Sequence, residues 1–401
     1  MIQQVDIAIV GGGMVGLALA AALAEADISV AVIEAHPPVD ATLNQSGLRV
    51  SALNRASQRF LSHLGVWGSL AEQGAAAYTK MQVKEQDSFA HITFNASNLG
   101  EPNLGHIVDN QLVRHALWQK VSQQDNVTVI APARCLQLAI NERDAYVSLD
   151  QGCTLSARLV VGADGANSWV RQALNVPLTS WDYGHHALVA TVRCAEAHQQ
   201  VARQIFRPEG PLAFLPLHDS HLCSIVWSLP PEEAQSAMAM PEVAFNQALA
   251  VAFDHQLGLC QLEGERQAIP LRMRYARDFV SARSVLLGDA AHTIHPLAGQ
   301  GVNLGLMDAA ALAQTLQQLI MQGEDIGSKR LLREFERWRK ADAAQMIAAM
   351  EGFKQIYAGS HPLKKLLRGA GTVAVEQCAP LKDRLMRQAM GLTGDLPEMA
   401  Q

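Results

Sequence analysis

The sequence predicts an α/β fold in which a parallel-sheet domain is interleaved with an antiparallel-sheet domain and followed by a helical C-terminal tail. Three observations predict it. An apolar run at Val5–Val10 leads into Gly11-Gly12-Gly13-Met14-Val15-Gly16 and then into an alanine- and leucine-rich helix. Two later apolar runs also end on glycine and aspartate before a helix, at Gly162-Ala163-Asp164-Gly165 and at Gly288-Asp289. Between these segments, Lys80–Lys84, His91–Phe94 and much of 186–229 alternate in the way of half-buried antiparallel strands.

The first element is the most specific. Gly11, Gly13 and Gly16 form G-x-G-x-x-G between a strand and a helix. A second strand, Ser29–Ile33, ends on Glu34, about 20 residues further on. The glycines allow a tight turn, close approach of a pyrophosphate and helix–strand packing; the acid takes ribose hydroxyls. This is the Rossmann-like fingerprint of a dinucleotide site, and it does not separate FAD from NAD.

Leu48–Leu53 follows a polar loop, Asp40–Gly47, and Arg49 is a candidate for the pyrophosphate. A helix is expected over Ala56–Leu70, with Phe60, Leu61 and Leu64 on one face. Another helix follows from Asn110 and Gln111, and a β-meander from Val127 to Leu155. Asp164 stands at the end of the next strand, either in a ligand site or as a helix N-cap. Strands are expected at 187–192, 201–206, 212–217, 222–229 and 269–273, and a helix at Glu242–His255.

The chain is organised around Gly288–Ala309. Val285-Leu286-Leu287 reads as a short buried strand, followed by Asp289, a glycine-punctuated loop with Gly299, Gly301 and Gly305, and a long helix. The unpaired first amides of a helix and its dipole favour negative charge. Asp289 in the same place asks for a hydroxyl or a cation. A polyol joined to a ring that becomes anionic satisfies both, and reduced flavin is such a ligand.

These segments divide the chain into a discontinuous FAD-binding domain (1–71, 105–177 and 273–355), a substrate domain (72–104 and 178–272) and a helical C-terminal segment (356–401). A length of 401 residues accommodates two domains. The net charge of −6 gives no reason to expect nucleic acid. Six scattered cysteines without C-x-x-C give no metal set and suit a reducing compartment. No basic leader precedes the first strand and no run approaches the ~20 apolar residues of a spanning helix. A cytoplasmic protein is expected. The tail carries Lys364, Lys365, Arg368, Lys382, Arg384 and Arg387 among leucines and methionines. It reads as a solvated helix face or as a surface for membrane or partner.

Taken in order, G-x-G-x-x-G with Glu34, Asp164-Gly165, and Gly288-Asp289 with Gly299-Gln300-Gly301 resemble the single-component FAD-dependent aromatic hydroxylases related to p-hydroxybenzoate hydroxylase. Leu48–Leu53, Ala213–Leu217, His292–Gly305 and Gln388–Leu392 look like the ubiquinone-biosynthesis hydroxylases within that class. Trp181–Thr191 and Leu222–Leu229 are most similar to bacterial members acting on 2-octaprenylphenol at ring C5. The resemblance covers nearly the whole chain.

It implies a monooxygenase that takes electrons from NADH or NADPH, takes O2 as co-substrate, and hydroxylates the ring of a polyprenylphenol through a flavin C4a-hydroperoxide. Gly11, Gly13, Gly16 and Glu34 would hold the ADP half of FAD, and Arg49 would approach the pyrophosphate. Asn110 or Gln111 would reach the phosphates or ribityl. Asp164 belongs to a motif tied to FAD and NAD(P)H, and Asp289 would bind a ribityl hydroxyl. Pro296 would lie beside the isoalloxazine, with Gly299 in the same loop and the amides of Gly301, Val302 and Asn303 at the N1/O2 edge. Phe214, Leu215 and Pro216 would roof the substrate. No side-chain base is assigned: His185, His186, His292 and His295 read as hydrogen-bonded histidines. A ubiquinone-biosynthesis complex and the inner face of a membrane are the implied surroundings. Hydroxylation at another ring carbon, a reductase on the same fold and an FAD-bound scaffold share these motifs.

Overall fold

The computed structural model describes residues 2–38, 49–86, 91–294, 301–357 and 376–401, with side chains omitted from 353–357. In chain order β1 (Ile2–Val10), α1 (Met14–Ala22) and β2 (Val30–Ile33) open the fold. They are followed by β3 (Val50–Leu53), α2 (Arg55–His63), α3 (Trp67–Gln73), β4 (Ala76–Tyr78), β5 (Lys80–Glu85) and β6 (His91–Asn95). Next come β7 (Gly105–Asp109), α4 (Asn110–Ser122), β8 (Val127–Ile130), β9 (Cys135–Ile140), β10 (Ala145–Leu149), β11 (Thr154–Gly162) and α5 (Trp169–Ala173). The middle of the chain is β12 (Leu178–Cys194), β13 (Val201–Phe206), β14 (Leu212–Pro216), β15 (Leu222–Leu229), α6 (Pro231–Ala239), α7 (Glu242–Ala252) and β16 (Cys260–Ala276). The chain closes with β17 (Val280–Ser281), β18 (Ser284–Leu286), β19 (His292–Thr293), α8 (Gly301–Met321), α9 (Arg333–Tyr357) and α10 (Ala379–Ala389).

The first sheet runs β17-β18-β11-β1-β2-β8, with β10 and β9 appended antiparallel beside β11. Its parallel strands are covered on both faces, which is why β2 is buried throughout and why these strands read as unbroken apolar runs. Ile7, Ile9, Val30, Val32, Leu159 and Val161 face α1, α4 and α8. Ala8, Val10, Ala31, Ile33 and Val160 face the opposite way, toward the β9–β10 side and α9. The second sheet runs β19-β16-β12-β15-β14-β13-β5-β6. One of its faces is closed by α6 and α7 around Phe245, Leu249 and Phe253. The other carries Ala213, Leu215 and Val226 against Ile107, Met386 and Met390, and Ala187, Leu271 and Met273 against Ile347 of α9. A small sheet, β3-β7-β4, lies between.

Several elements differ from the sequence reading. The helix expected over 56–70 is two helices. Gly65 takes φ +75° and the Val66 N–H returns to the Leu61 carbonyl, ending the first helix with a left-handed turn. β8 is not part of the meander: arriving after α4, it pairs parallel to β2 (Val30↔Val127), and the meander begins at Cys135. β12 and β16 each extend well beyond the apolar stretches that announced them. Their extra residues, at 178–182 and 261–268, are mostly exposed and so carry little hydrophobic alternation. The expected division at 272/273 therefore falls inside β16, and β19 joins the second sheet as well.

Phe214 is a correction of substance. It is 1 % exposed and stacks on Phe253 at 3.7 Å between centroids, on the face covered by α6 and α7. Strand alternation turns Pro216 the same way, so Leu215 alone of the three faces Ile107, Met386 and the first domain. The C-terminal segment is also more internal than its composition suggests. Lys382 is buried and paired with Glu376 at 2.9 Å, and Glu376 also accepts the Thr93 N–H at 3.0 Å. Trp338 Nε1 donates to the Asp395 carbonyl at 3.1 Å. Lys364, Lys365 and Arg368 lie outside the described residues. None of the described helices is long and apolar enough to cross a membrane.

Phe214→Ala therefore tests the orientation of β14. It should cost about 3–5 kcal/mol of stability in urea unfolding, as a buried aromatic deletion does, and leave cofactor affinity within about twofold.

Candidate active site at the strand ends

Sheet register brings the three motifs together. Val10 pairs with Ile33 and with Gly162, and Gly162 pairs with Leu286, so four parallel strands finish in one row. The residues that follow, Gly11, Glu34, Asp164 and Gly288-Asp289, therefore occupy one edge, outside the carboxyl ends of the strands where open α/β sheets bind ligands.

The three motif glycines have different duties. Gly11 has φ +112°, and a Cβ there would sit 2.4 Å from the Ala163 carbonyl oxygen. A Cβ at Gly16 would sit 2.1 Å from the Gly11 oxygen. Both serve close packing. Gly13 caps α1 without a side-chain hydrogen bond, and a Cβ there would meet nothing within 4 Å. Its space and the unpaired first-turn amides of α1 form a cradle for an anion.

Glu34 accepts from the Gly12 N–H at 2.6 Å and the His36 N–H at 2.7 Å. Arg114, a residue to which sequence reasoning gave no role, joins the group. Its Nε donates to the Gly12 carbonyl at 2.7 Å, its Nη2 to the His36 carbonyl at 2.5 Å, and it lies 3.6 Å from Glu34. Helical spacing put Arg114 on α4, but its reach to the glycine loop is a tertiary contact.

Asp164 Oδ2 accepts from the Trp169 and Val170 N–H groups at 2.7 and 3.1 Å, while Ser168 is the N-cap of α5. Asp164 Oδ1 is buried and has no partner among the described residues. A buried carboxylate oxygen left in this state is costly and marks a place for a ligand donor. Arg171 ties this turn to the next by donating to the Ala290 carbonyl at 2.9 Å.

The Gly288–Ala290 turn is held from below. A Cβ at Gly305 would lie 2.8 Å from Val15 Cγ2 and 3.2 Å from Gly288 Cα, so α8 presses directly on the turn and on α1. One helical turn on, Asp308 Oδ2 accepts from the Gly288 N–H at 3.0 Å and from His292 Nε2 at 2.6 Å. Asp308 Oδ1 accepts from Arg339 Nε at 2.8 Å, and Arg339 Nη1 donates to Asp342 at 2.6 Å. Asp308 and Arg339 are each 1 % exposed. Burial alone would raise the Asp308 pKa, but the fields and hydrogen bonds of His292 and Arg339 outweigh it and hold the carboxyl below its ordinary range.

Asp289 is the opposite case. Its side chain keeps accessible surface yet has protein densely around it. That crowding raises its pKa, against the opposing fields of His292, Arg274 and Arg49. Arg49, exposed beside β3, contributes the weakest of those fields.

Asn303 spends its side chain on structure. It donates to the Ala52 carbonyl at 2.8 Å and accepts from the Asn54 N–H at 3.0 Å, both in the β3–α2 segment. The backbone amides of Gly301, Val302 and Asn303 form the first turn of α8, and a Cβ at Gly301 would meet nothing within 4 Å. Of the pair left open on α4, Asn110 is engaged, accepting the Ser51 hydroxyl at 2.6 Å, while Gln111 is exposed at the helix start. His185 is held between the Tyr183 and Glu209 carbonyls at 3.0 and 2.9 Å, an arrangement for anchoring a loop. Pro296, Gly299 and His295 lie outside the described residues.

Comparison with known proteins agrees with this geometry. The FAD-binding domain family model matches residues 4–350. The chain belongs to that family. It is 36% identical over 391 residues to the 3-demethoxyubiquinol 3-hydroxylase of Escherichia coli, covering 97% of this chain and 99% of the relative. It is 33% identical to the human mitochondrial ubiquinone biosynthesis monooxygenase COQ6, covering 95% of this chain and 91% of the relative. Among solved structures, p-nitrophenol 4-monooxygenase of Pseudomonas putida superposes with a TM-score of 0.78 at 18% identity, covering 97% and 98% of the two chains. That likeness concerns the fold. The protein is an FAD-dependent monooxygenase, with a nicotinamide nucleotide as electron donor and O2 as co-substrate.

The Asp308 cluster sets a pH dependence. A depressed folded pKa contributes stability above the unfolded value of about 3.9 that is lost as pH falls through the folded value. Asp308→Asn should lower stability at pH 7 by about 3–5 kcal/mol, as breaking a buried pair does. It should also show a shallower decline below about pH 4 in melts across pH. A decline as steep as that of the parent chain would place the acid sensitivity elsewhere.

Proposed function

We propose that the chain hydroxylates the aromatic ring of a polyprenylphenol-type precursor of ubiquinone, with C5 of 2-octaprenylphenol as the position. The observation that carries the reading is the level row of strand ends, which gathers the open Gly13 cradle, Asp289 and the first turn of α8 along one edge. The ubiquinone-biosynthesis names of the relatives support the substrate class, and the position rests on the resemblance of Trp181–Thr191 and Leu222–Leu229 to bacterial 2-octaprenylphenol hydroxylases.

FAD bound along this edge supplies hydride acceptance and oxygen activation. The chain's own part is placement. The Gly13 cradle would receive the pyrophosphate, with Arg49 and Gln111 as further candidates to hold it. Glu34, steadied by Arg114, would receive the adenosine ribose. Asp289 would accept from a ribityl hydroxyl, and Asp164 Oδ1 would accept from a donor of the ligand. The Gly301, Val302 and Asn303 amides place partial positive charge where a ring becomes anionic, a preorganised arrangement of the oxyanion-hole kind. Leu215, Val226, Ala187 and Met273 line the inner face of the second sheet. Packed against Ile107, Met386, Met390 and Ile347, they would form the dry apolar backing behind a prenylated ring and keep water from the reacting atoms. The same proposal sets the protein in the cytoplasm at the inner face of the membrane, within a biosynthetic assembly.

The test is oxidation of NADH and NADPH by FAD-loaded protein with a short-chain 2-prenylphenol under labelled O2. One labelled oxygen in the ring at C5 is the expected product. Label at another carbon would move the position, and oxidation yielding only peroxide with every prenylphenol would refute the substrate class.

Two glycines test the cradle separately. Gly13→Ala should leave the apo-protein within about 1 kcal/mol of the parent while weakening FAD binding about tenfold or more, near 1.4 kcal/mol. Gly11→Ala, strained in backbone and in space, should fail to give a cooperatively folded protein. Melting and flavin-fluorescence titration read both.

A further inference from the structure

We infer that Asp308 is a positioning residue that sets the cofactor turn and the substrate sheet at a fixed distance from one another, with Arg339 and His292 as its partners. The inference rests on the FAD reading above and concerns residues to which that reading gives no part. Its core is one oxygen atom. Asp308 Oδ2 accepts from the Gly288 N–H, two residues past the end of β18 in the first sheet, and from the ring of His292, which lies in β19 of the second. β19 is paired with β16, with Tyr275 opposite His292 and Arg274 opposite Thr293. Between the two donors lies Asp289, the ribityl candidate. A shift of either donor by an ångström would re-aim that carboxylate relative to the substrate face.

Arg339 makes the arrangement rigid. It approaches the other oxygen of Asp308 from α9 and is itself fixed by Asp342 at 2.6 Å. Two helical turns further along α9, Ile347 packs among Tyr183, Leu271 and Met273 on the inner face of the second sheet. The helix that anchors the cofactor turn therefore also touches the substrate face. A carboxylate this deeply buried is an expensive way to hold two sheets together if stability alone is served, because well-packed apolar residues do as well. Its use here fits a demand for geometry. The Asp308 network sits beneath the turn, so its members would act through Asp289 and the Gly288 backbone and not on the substrate itself.

The test uses the full-length chain with FAD, comparing the parent with Asp308→Asn, His292→Gln and Arg339→Lys. FAD affinity is read by quenching of flavin fluorescence, the setting of the bound ring by visible circular dichroism, and folding by the cooperativity of melting. Asp308→Asn and His292→Gln are expected to weaken FAD about tenfold or more, equivalent to about 1.4 kcal/mol, and to change the flavin dichroism. Arg339→Lys should fall between them and the parent, since lysine keeps the charge but lacks the planar fork. His292→Gln and Arg339→Lys retain donors and keep the test decisive if Asp308→Asn does not fold. Cooperatively folded variants with parental affinity and parental dichroism would overturn the inference. A parent chain that itself binds no FAD would instead overturn the cofactor placement on which it rests.

Discussion

The buried carboxylate of Asp308 is the constraint on which the rest of the site depends. A charge taken out of water must be met by hydrogen bonds and counter-charge or it destabilises the fold. Here the demand is met by a backbone amide from the end of one sheet, an imidazole from the edge of another and a guanidinium from α9. Meeting it brings those three elements to one point. Gly305, on the preceding turn of α8, then lets the helix close on Gly288 and Val15. Asp289 is left crowded but reachable, with its pKa raised by burial against the fields of His292, Arg274 and Arg49. One aspartate is stabilised in its charged form and its neighbour across the turn is not. On the proposed FAD reading, that contrast separates a residue that holds structure from one that would take a ligand.

The motifs were legible in the sequence because strand ends carry their chemistry locally. Glycine where backbones touch, and an acid one or two residues past an apolar run, can be read without knowing the neighbours. The register that levels Val10, Ile33, Gly162 and Leu286 then turned three separate motifs into one edge. What could not be read was whatever depends on a distant partner. Asp308 and Arg339 look in sequence like an interior helix acid and one of a run of basic residues; only packing makes them a pair. Arg114 is similar, since its contacts with Gly12 and His36 cross from α4 to the first β-α-β unit. Phe214 was legible as buried but not as to which side, because β14 is apolar at every position and gives no alternation to orient it. The long ends of β12 and β16 escaped notice for the reverse reason: their pairing is backbone to backbone, and their side chains are largely exposed.

The C-terminal segment shows how composition alone can mislead. Its basic residues suggested an outward face, yet Lys382 turns inward to Glu376, and Met386 and Met390 fill the apolar layer shared with Leu215 and Ile107. The Met390 carbonyl accepts the Arg55 N–H at the start of α2, and a Cβ at Gly391 would lie 2.9 Å from Asn54 Nδ2. Asn54 in turn donates its backbone N–H to Asn303 at the start of α8. The chain end is thereby built into the chain of contacts that sets the first turn of α8.

The most direct test of this account is the structure of the protein reconstituted with FAD. In that structure the pyrophosphate should lie over Gly13, a ribityl hydroxyl on the Asp289 carboxylate, and the pyrimidine edge of the ring at the amides of Gly301 to Asn303, with Asp308 still bridging Gly288 and His292. FAD bound along another edge, or along this one with Asp289 turned away from the ribityl, would contradict it.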